Sequence, residues 1–360
     1  MREAVAETLA GEEAWIVGGA VRDELLGRPV DDLDIACREP ERAARAYAGR
    51  RGGAPFPISA HHPAWRVAHR DGRTVDFTPL PGTIEEDLGT RDFTINAIAV
   101  PLAGGEPVDP FGGRGDLASR TLRVVSPSVF ADDPLRLLRA VRLEDELGFE
   151  LEGETERLVR EHAALATRPA AERTVAELMR LSARGYRRAA ELGLVESLHG
   201  AVPGGDELDR VDSPEYRLVA VFGPLVAKLP VSKELRRYAS ALLRAQAPAD
   251  ASARAIHRFR RATEPWALDA LAFVGATELA DAVRMARTAD PAEPLVRGNE
   301  LGLPPGPGIG RVLEQIEEER AAGTITTREE ALELARTAAA NDPRESAPAT
   351  SPTPHPPGHP

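Results

Sequence analysis

The stretch Ile16-Val-Gly-Gly-Ala-Val-Arg-Asp-Glu-Leu-Leu-Gly-Arg-Pro-Val-Asp-Asp-Leu-Asp-Ile35 decides how the rest of the chain is read. Ala14 to Val17 are apolar and few enough for a buried strand. Gly18 and Gly19 follow; lacking Cβ atoms, they let the backbone approach a ligand closely. Ala20 to Leu26 has the composition of one or two helical turns, ended by Gly27 with Pro29 just beyond. A glycine turn between a strand and a helix start offers free N–H groups to phosphate. Asp32 and Asp34 are two apart, so in a strand both carboxylates point to one face. Two carboxylates on one face, beside a phosphate cradle, make a site for Mg²⁺ and a nucleoside triphosphate. A Gly-Gly turn or an Asp-x-Asp pair alone carries little. The two together, joined by Val21-Arg22-Asp23, are much more specific.

This combination resembles the first motif of the nucleotidyltransferase superfamily, in the branch that holds bacterial tRNA CCA-adding enzymes and poly(A) polymerases. The next segments extend the resemblance. Trp65 to His69 has strand composition, Asp71-Gly72 is a two-residue hairpin turn, and Arg73 to Thr78 returns as the partner strand. Asp76 in that returning strand is either a third carboxylate for the metal or an edge aspartate facing water. The run Glu85-Glu-Asp-Leu-Gly-Thr-Arg-Asp-Phe-Thr-Ile-Asn96 pairs an arginine and an aspartate ahead of an apolar stretch holding one asparagine. Such an aspartate can accept from ribose hydroxyls, and the arginine can hold phosphate. The run is similar to the family's second motif, usually Arg-Arg-Asp-Phe-Thr-x-Asn-Ala, with Thr90 where the first arginine is usual. Asp109-Pro-Phe-Gly-Gly-Arg-Gly-Asp116 resembles the third motif, a glycine-rich hinge between head and helical neck.

In Phe130-Ala-Asp-Asp-Pro-Leu-Arg-Leu-Leu-Arg-Ala-Val-Arg142, Asp132 or Asp133 can cap a helix with Pro134 in its first turn. Asp133 and Arg136, three apart, would share a face that Arg139 and Arg142 continue. An acceptor beside a donor can read the edge of cytosine or adenine, whereas uracil and guanine leave both groups unpaired. On spacing alone, an i,i+3 surface ion pair contributing ~0.2–0.5 kcal/mol is the simpler reading. The resemblance favours base reading, because the family's base-selecting motif is Glu-Asp-x-x-Arg; here Asp132 stands where Glu is usual. Glu172-Arg173-Thr-Val-Ala-Glu177 fits the family's following segment, with Arg173 and Glu177 expected to brace the neck as an i,i+4 pair.

The chain has 360 residues, enough for more than one domain, and no apolar run approaches a membrane span. The single cysteine, Cys37, and an N-terminus without an apolar core fit a reducing cytoplasm. The net charge of −12 argues mildly against nucleic-acid binding. A local basic run offsets it: Lys233, Arg236, Arg237, Arg244, Arg254, Arg258, Arg260 and Arg261 face only Glu234 and Asp250 in sequence. Arg236, Arg237, Arg258 and Arg261 are therefore candidate RNA contacts, although a solvated helical face explains any one of them equally well. Residues 180–290 have helical spacing broken by Pro and Gly, and Thr327 with Glu330 forms a capping-box pattern. Residues 343–360 are too polar and proline-rich to bury a core and are expected to be disordered; His355 and His359 there are too isolated to be metal ligands.

The resemblance implies an α+β protein: a small mixed-sheet head over 1–117, a helical neck over 118–190 for base recognition, and a helical body and tail over 191–342 that binds tRNA. It implies template-independent addition of CMP and AMP, from CTP and ATP, to the 3′ end of tRNA. Asp32 and Asp34 would bind two Mg²⁺ ions. Gly18, Gly19, Arg22, Arg91, Asp92, Asn96, Asp133, Arg136, Arg139 and Arg142 would surround the nucleotide. Poly(A) polymerase activity on other RNA ends, a partial enzyme that adds only CC or only the final A, and a non-catalytic nucleotide- or RNA-binding protein are the alternatives. Protein partners are unknown. In the family, a flexible loop between the first two motifs is associated with the switch from C to A and is shortened in CC-adding members. Here only Pro79–Thr83 connects strand to second motif, and five residues bridge at most ~17 Å. That length predicts a stop at CC.

Overall fold

The computed structural model describes residues 1–58 and 63–340, so the expected disorder of 343–360 and the two histidines there lie outside the described residues. The chain forms two compact units, one over Met1–Leu235 and one beginning at Arg236. In the first, the elements run α1 (Arg2–Thr8), β1 (Ala14–Val17), α2 (Gly19–Leu25), β2 (Asp32–Cys37), α3 (Pro40–Arg51), β3 (Ala54–Pro57), β4 (Trp65–Ala68), β5 (Thr74–Pro79), α4 (Ile84–Gly89) and β6 (Ala99–Pro101). Six strands form one mixed sheet in the order β3-β4-β5-β2-β1-β6. β2 lies parallel to β5 and antiparallel to β1, which puts Asp34 opposite Asp76 on one side and Val17 on the other.

Alternation along β2 sorts its residues. Leu33 and Ile35 are buried with Val67, Val75 and Phe77, and α3 covers them through Ala43, Ala44 and Tyr47, whose ring lies 6.0 Å from that of Phe77. Each such large side chain, fully buried, contributes roughly 1.5–3 kcal/mol. On the opposite face, Ala36 and Val17 join Leu80, Ile84, Leu88, Ala97 and Ala99 in a core, and Asp34 shares that face beyond its end. The strand pattern that buries the sheet therefore also brings out both aspartates.

The glycine-rich third motif is not a loose hinge. Asp109 accepts from the N–H groups of Gly113 and Arg114 at 2.7 and 2.9 Å, starting α5 (Gly113–Ser119). A Cβ at Gly113 would stand 2.1 Å from the carbonyl oxygen of Thr94, so only glycine permits this approach. Thr94 then donates to Asp116 at 2.7 Å, which fixes α5 against the second motif.

A two-stranded ladder, β7 (Thr121–Leu122) with β8 (Glu150–Leu151), brackets α6 (Val129–Asp132) and α7 (Leu135–Leu147). Leu137, Leu138, Ala140, Val141 and Leu143 bury one side of α7. α8 (Gly153–His162), α9 (Ala171–Leu178), α10 (Ala183–Glu191), α11 (Leu194–Ser197) and α12 (Pro214–Phe222) complete this unit. The second unit carries α13 (Lys233–Arg244, which begins just before it), α14 (Ala253–Thr263), α15 (Ala267–Phe273), α16 (Ala280–Thr288), α17 (Pro307–Ala321) and α18 (Arg328–Ala340). Val296, Leu301, Val312, Ile316, Ile325, Ala331 and Ala335 form its apolar cluster around α17 and α18. Thr327 and Glu330 make the expected capping box, each side chain bonded to the other's N–H. Among the described residues no helix is long and apolar enough to cross a membrane.

Candidate active site

β1 ends at Val17, and Gly18 turns the chain into α2 with φ +71° and ψ −140°, a conformation open essentially to glycine alone. A Cβ there would lie 3.0 Å from Asp34 Oδ2 and 3.6 Å from Arg91 Nη1. Gly19 is different: a Cβ would meet Arg22 only at ordinary contact distance, so the close approach rests on Gly18. We expect Gly18→Ala to cost roughly 1–3 kcal/mol of stability and to displace the Asp34 carboxylate. The variant should show a lowered unfolding midpoint together with slowed nucleotide incorporation; unchanged values for both would contradict this packing.

The two aspartates of the first motif are held differently. Asp32 is exposed, and its Oδ1 accepts from both the N–H and the hydroxyl of Thr74, at 3.0 and 2.7 Å. Asp34 is partly buried, and burial pushes its carboxyl up to about 6; Arg91 opposes the shift, while Asp76 and Asp32 add to it. Asp76 lies beside Asp34 in the sheet, but Arg66 grips both its oxygens at 2.7 Å. Among the described residues no cluster of three or more His, Cys, Asp or Glu is arranged to cage a metal. Asp32 and Asp34 supply the two carboxylates that a magnesium ion shared with substrate phosphates requires. A dication would offset both the burial and the smaller like-charge crowding that raise Asp34, so the donor set fits one.

Arg22, Asn96, Asp92 and Arg139 form a connected row. Arg22 donates to Asp23 through Nε and Nη2 and to Asn96 Oδ1 at 2.8 Å. Asn96 donates to Asp92 Oδ1 at 2.9 Å, which also accepts the Phe93 N–H. Arg139 holds the other Asp92 oxygen through Nε and Nη2 at 2.9 and 2.6 Å. Burial alone would raise the Asp92 carboxyl, but Arg139, Asn96 and the Phe93 N–H outweigh it and hold it below its usual range. Arg91 is paired with Asp87 one helical turn back, at 2.7 Å.

The neck residues depart from the sequence expectation in detail. Asp133 ends α6 and precedes α7, so it does not share a helical face with Arg136. Its Oδ1 accepts the Leu135 N–H and its Oδ2 accepts from Arg173 at 3.0 Å, while Arg136 donates to the carbonyl of Thr90 at 2.7 Å. The expected Arg173–Glu177 brace is replaced. Glu177 faces α7 and binds buried Arg142 at 2.5 Å, with Arg139 at 3.9 Å; Arg142 continues to Glu146, which also binds Arg180. Arg173 and Arg180 thus join the residues around the cleft, which sequence spacing does not indicate. The only signal for Arg173 was its place in the family segment.

Gly18, Gly19, Arg22, Asp32, Asp34, Arg91, Asp92, Asn96, Asp133, Arg136, Arg139 and Arg142 all line one cleft of about 550 Å³, together with Arg173 and Arg180. Asp76 is not among its lining residues. The size suits a nucleotide, and the lining combines carboxylates from the sheet with arginines and Asp133 from the neck. The candidate RNA contacts lie in the other unit: Arg258 and Arg261 are paired with Glu318 and Glu314, and Arg236 and Arg237 are on α13.

The head matches the family model described as the poly A polymerase head domain, over residues 14–73 and 59–123. An A-adding tRNA nucleotidyltransferase of Deinococcus radiodurans is 34% identical across 88% of this chain and 94% of that protein. The chain belongs to the tRNA nucleotidyltransferase family. A CC-adding tRNA nucleotidyltransferase of Geobacter sulfurreducens is 41% identical, over 56% of this chain and half of its own length. Among solved structures, the Bacillus stearothermophilus CCA-adding enzyme in complex with CTP aligns with a TM-score of 0.73 at 27% identity, covering 94% of this chain and 98% of that one. The α+β architecture of a mixed-sheet head followed by helices is therefore that of tRNA nucleotidyltransferases.

Proposed function

We propose that this tRNA nucleotidyltransferase transfers CMP from CTP to the 3′ end of tRNA and stops after CC, acting in the cytoplasm. AMP transfer from ATP belongs to the same chemistry and is the broader reading. The observation that carries the reading is that Asp32, Asp34, Asp133 and Arg136, drawn from the head and the neck, line one and the same cleft. In the reaction, the terminal 3′-hydroxyl attacks the α-phosphorus, the bond to the β-phosphate oxygen breaks, and pyrophosphate leaves with the electron pair. Asp32 and Asp34 would hold Mg²⁺, which when bound supplies Lewis-acid activation of the hydroxyl and charge neutralisation at the leaving group. Thr74 fixes the Asp32 carboxylate, so its free edge is already aimed. Arg22 and Arg91 border the phosphate end. Asp92 is fully engaged by protein donors, which supports a role in positioning the ribose side of the cleft through Asn96 and Arg139 rather than as a bare acceptor.

Asp133 and Arg136 would read the base, each anchored from behind: Asp133 by Arg173, Arg136 by the Thr90 carbonyl. Arg136→Ala is expected to admit UTP or GTP while CTP incorporation persists, because a donor to the base edge is lost and not a phosphate clamp. Equal loss across four nucleotides would assign Arg136 to phosphate or structure instead.

The stop at CC is supported by the connection from β5 to α4. Leu80 is buried, its N–H donates to Cys37, and Arg38 donates to the carbonyls of Leu80 and Pro81. Thr83 and Glu86 close a capping box at the next turn. A short connection tied at Leu80, Pro81 and Thr83 is poorly suited to act as a lever that widens the pocket from cytosine to adenine. The test presents purified protein with tRNA transcripts ending before the first C and after the second C, each with labelled CTP or ATP. Two CMP additions and no AMP addition are expected. AMP transfer to the CC end would reject the narrower reading, and no transfer of either nucleotide would reject both.

A further inference from the structure

Arg254, Arg258 and Arg261 are spaced by four and three along α14, so they share one face. That face meets α17. Arg254 donates to Glu319 at 2.7 Å and lies 3.6 Å from Glu318. Arg258 forks onto Glu318 through Nε and Nη2 at 2.9 and 2.6 Å, and Arg261 donates to Glu314 at 2.5 Å. Glu314 and Glu318 are themselves one turn apart, so an acidic row runs along α17 where a basic row runs along α14. The layering is asymmetric: Glu318 is 20% exposed and Arg258 is 66% exposed. The Arg258 guanidinium lies outermost over its carboxylate, whereas Arg261 and Glu314 are about equally exposed, at 50% and 53%.

We infer that the acidic face of α17 occupies the phosphate-binding face of α14, and that RNA phosphates take Arg258 and Arg261 over from Glu318 and Glu314 on binding. The inference rests on the reading that the chain acts on RNA. Phosphate accepts the same two-pronged fork from arginine that a carboxylate accepts. Exposed pairs of this kind contribute little to stability, so exchanging the partner is cheap once RNA is close. Until then the arginines present no net positive field, which fits a chain of net charge −12. The glutamates thus act as an internal competitor. RNA held at several points displaces them, and stray single strands do not.

The experiment follows fluorescence anisotropy of the full-length protein with two labelled probes, a tRNA transcript ending in CC and a random-sequence single-stranded RNA, across a salt series. Glu314→Gln/Glu318→Gln is expected to tighten the random RNA by about fivefold or more at low salt and to steepen its salt slope by about one per arginine released. Glu329→Gln/Glu333→Gln on α18 carries the same charge change away from the arginines and sets the general field effect. Equal behaviour of the two double variants would overturn the inference. So would weaker binding by the first, which would make the glutamates positioners of the arginines. CMP transfer by the unaltered protein tests the underlying reading separately.

Discussion

Alanine at Asp34 is expected to abolish nucleotide incorporation and to leave the protein folded. The loss should exceed about a thousandfold, because metal-assisted charge stabilisation is worth several kcal/mol and each 1.36 kcal/mol is tenfold in rate. The fold is spared for an electrostatic reason. Burial, with Asp76 and Asp32 nearby, raises the Asp34 carboxyl to about 6, so the folded state prefers it protonated. A carboxyl raised in this way binds its proton more tightly folded than unfolded. Its ionisation therefore removes stability as pH rises from the unfolded value of ~3.9 through 6, and the penalty is complete above that. In chelator, Asp34→Asn should unfold at or above the wild-type temperature at pH 7.5, with the difference closing near pH 4. Near-normal incorporation by the alanine variant would remove Asp34 from the active site. Marked destabilisation of the asparagine variant would contradict the electrostatic account.

The other large effect is on stability. Arg139→Ala removes the two-pronged partner of Asp92, which is 5% exposed. Stripping one member from a buried ion pair costs about 3–5 kcal/mol, since the remaining charge is left without compensation; one third of the Arg139 side chain reaches solvent, which places the expectation at the lower end. The pH dependence has the opposite sign to that of Asp34. The Asp92 carboxyl is held below its usual value, so its contribution is complete above the unfolded value of ~3.9 and is lost as pH falls through the lower folded one. The gap between wild type and Arg139→Ala, measured by denaturant unfolding, should be widest at neutral pH and narrow in acid. Asp92→Asn/Arg139→Met should recover part of the loss. A variant that lost activity alone, with its unfolding curve unmoved, would make Arg139 a nucleotide ligand only.

The head was legible in sequence wherever one local rule operated. Ala14–Val17, the glycine turn, the Asp32–Asp34 alternation and the Asp71-Gly72 hairpin depend on neighbours within a few residues, and the structure has each of them. β3 escaped notice because Pro55 and Pro57 argue against a strand; they are tolerated since β3 is the sheet edge. In the neck, the residues named from sequence line the cleft, but with partners that spacing does not give. Arg173 and Glu177 have ideal i,i+4 spacing, but α9 packs on α7, so Glu177 turns inward to Arg142 while Arg173 reaches Asp133. The same holds for Asp133 and Arg136, which a break between two helices takes off a common face. The basic run of α14 looked unopposed because Glu314 and Glu318 lie more than fifty residues away in sequence. Spacing rules carry no information about partners brought in by tertiary packing.

One arrangement in the cleft has a thermodynamic meaning beyond the roles of its members. Asp23, Arg22, Asn96, Asp92 and Arg139 are linked in turn by hydrogen bonds, Glu177, Arg142, Glu146 and Arg180 by ion pairs, and the two groups meet at a 3.9 Å charge contact between Arg139 and Glu177. Donors and acceptors in such a row share one another's capacity, so a change at one end alters what the other end can offer. Energies measured at Arg22 and at Arg142 are not expected to add, and the deficit in a double-mutant cycle is the amount by which the two ends of the row sense each other.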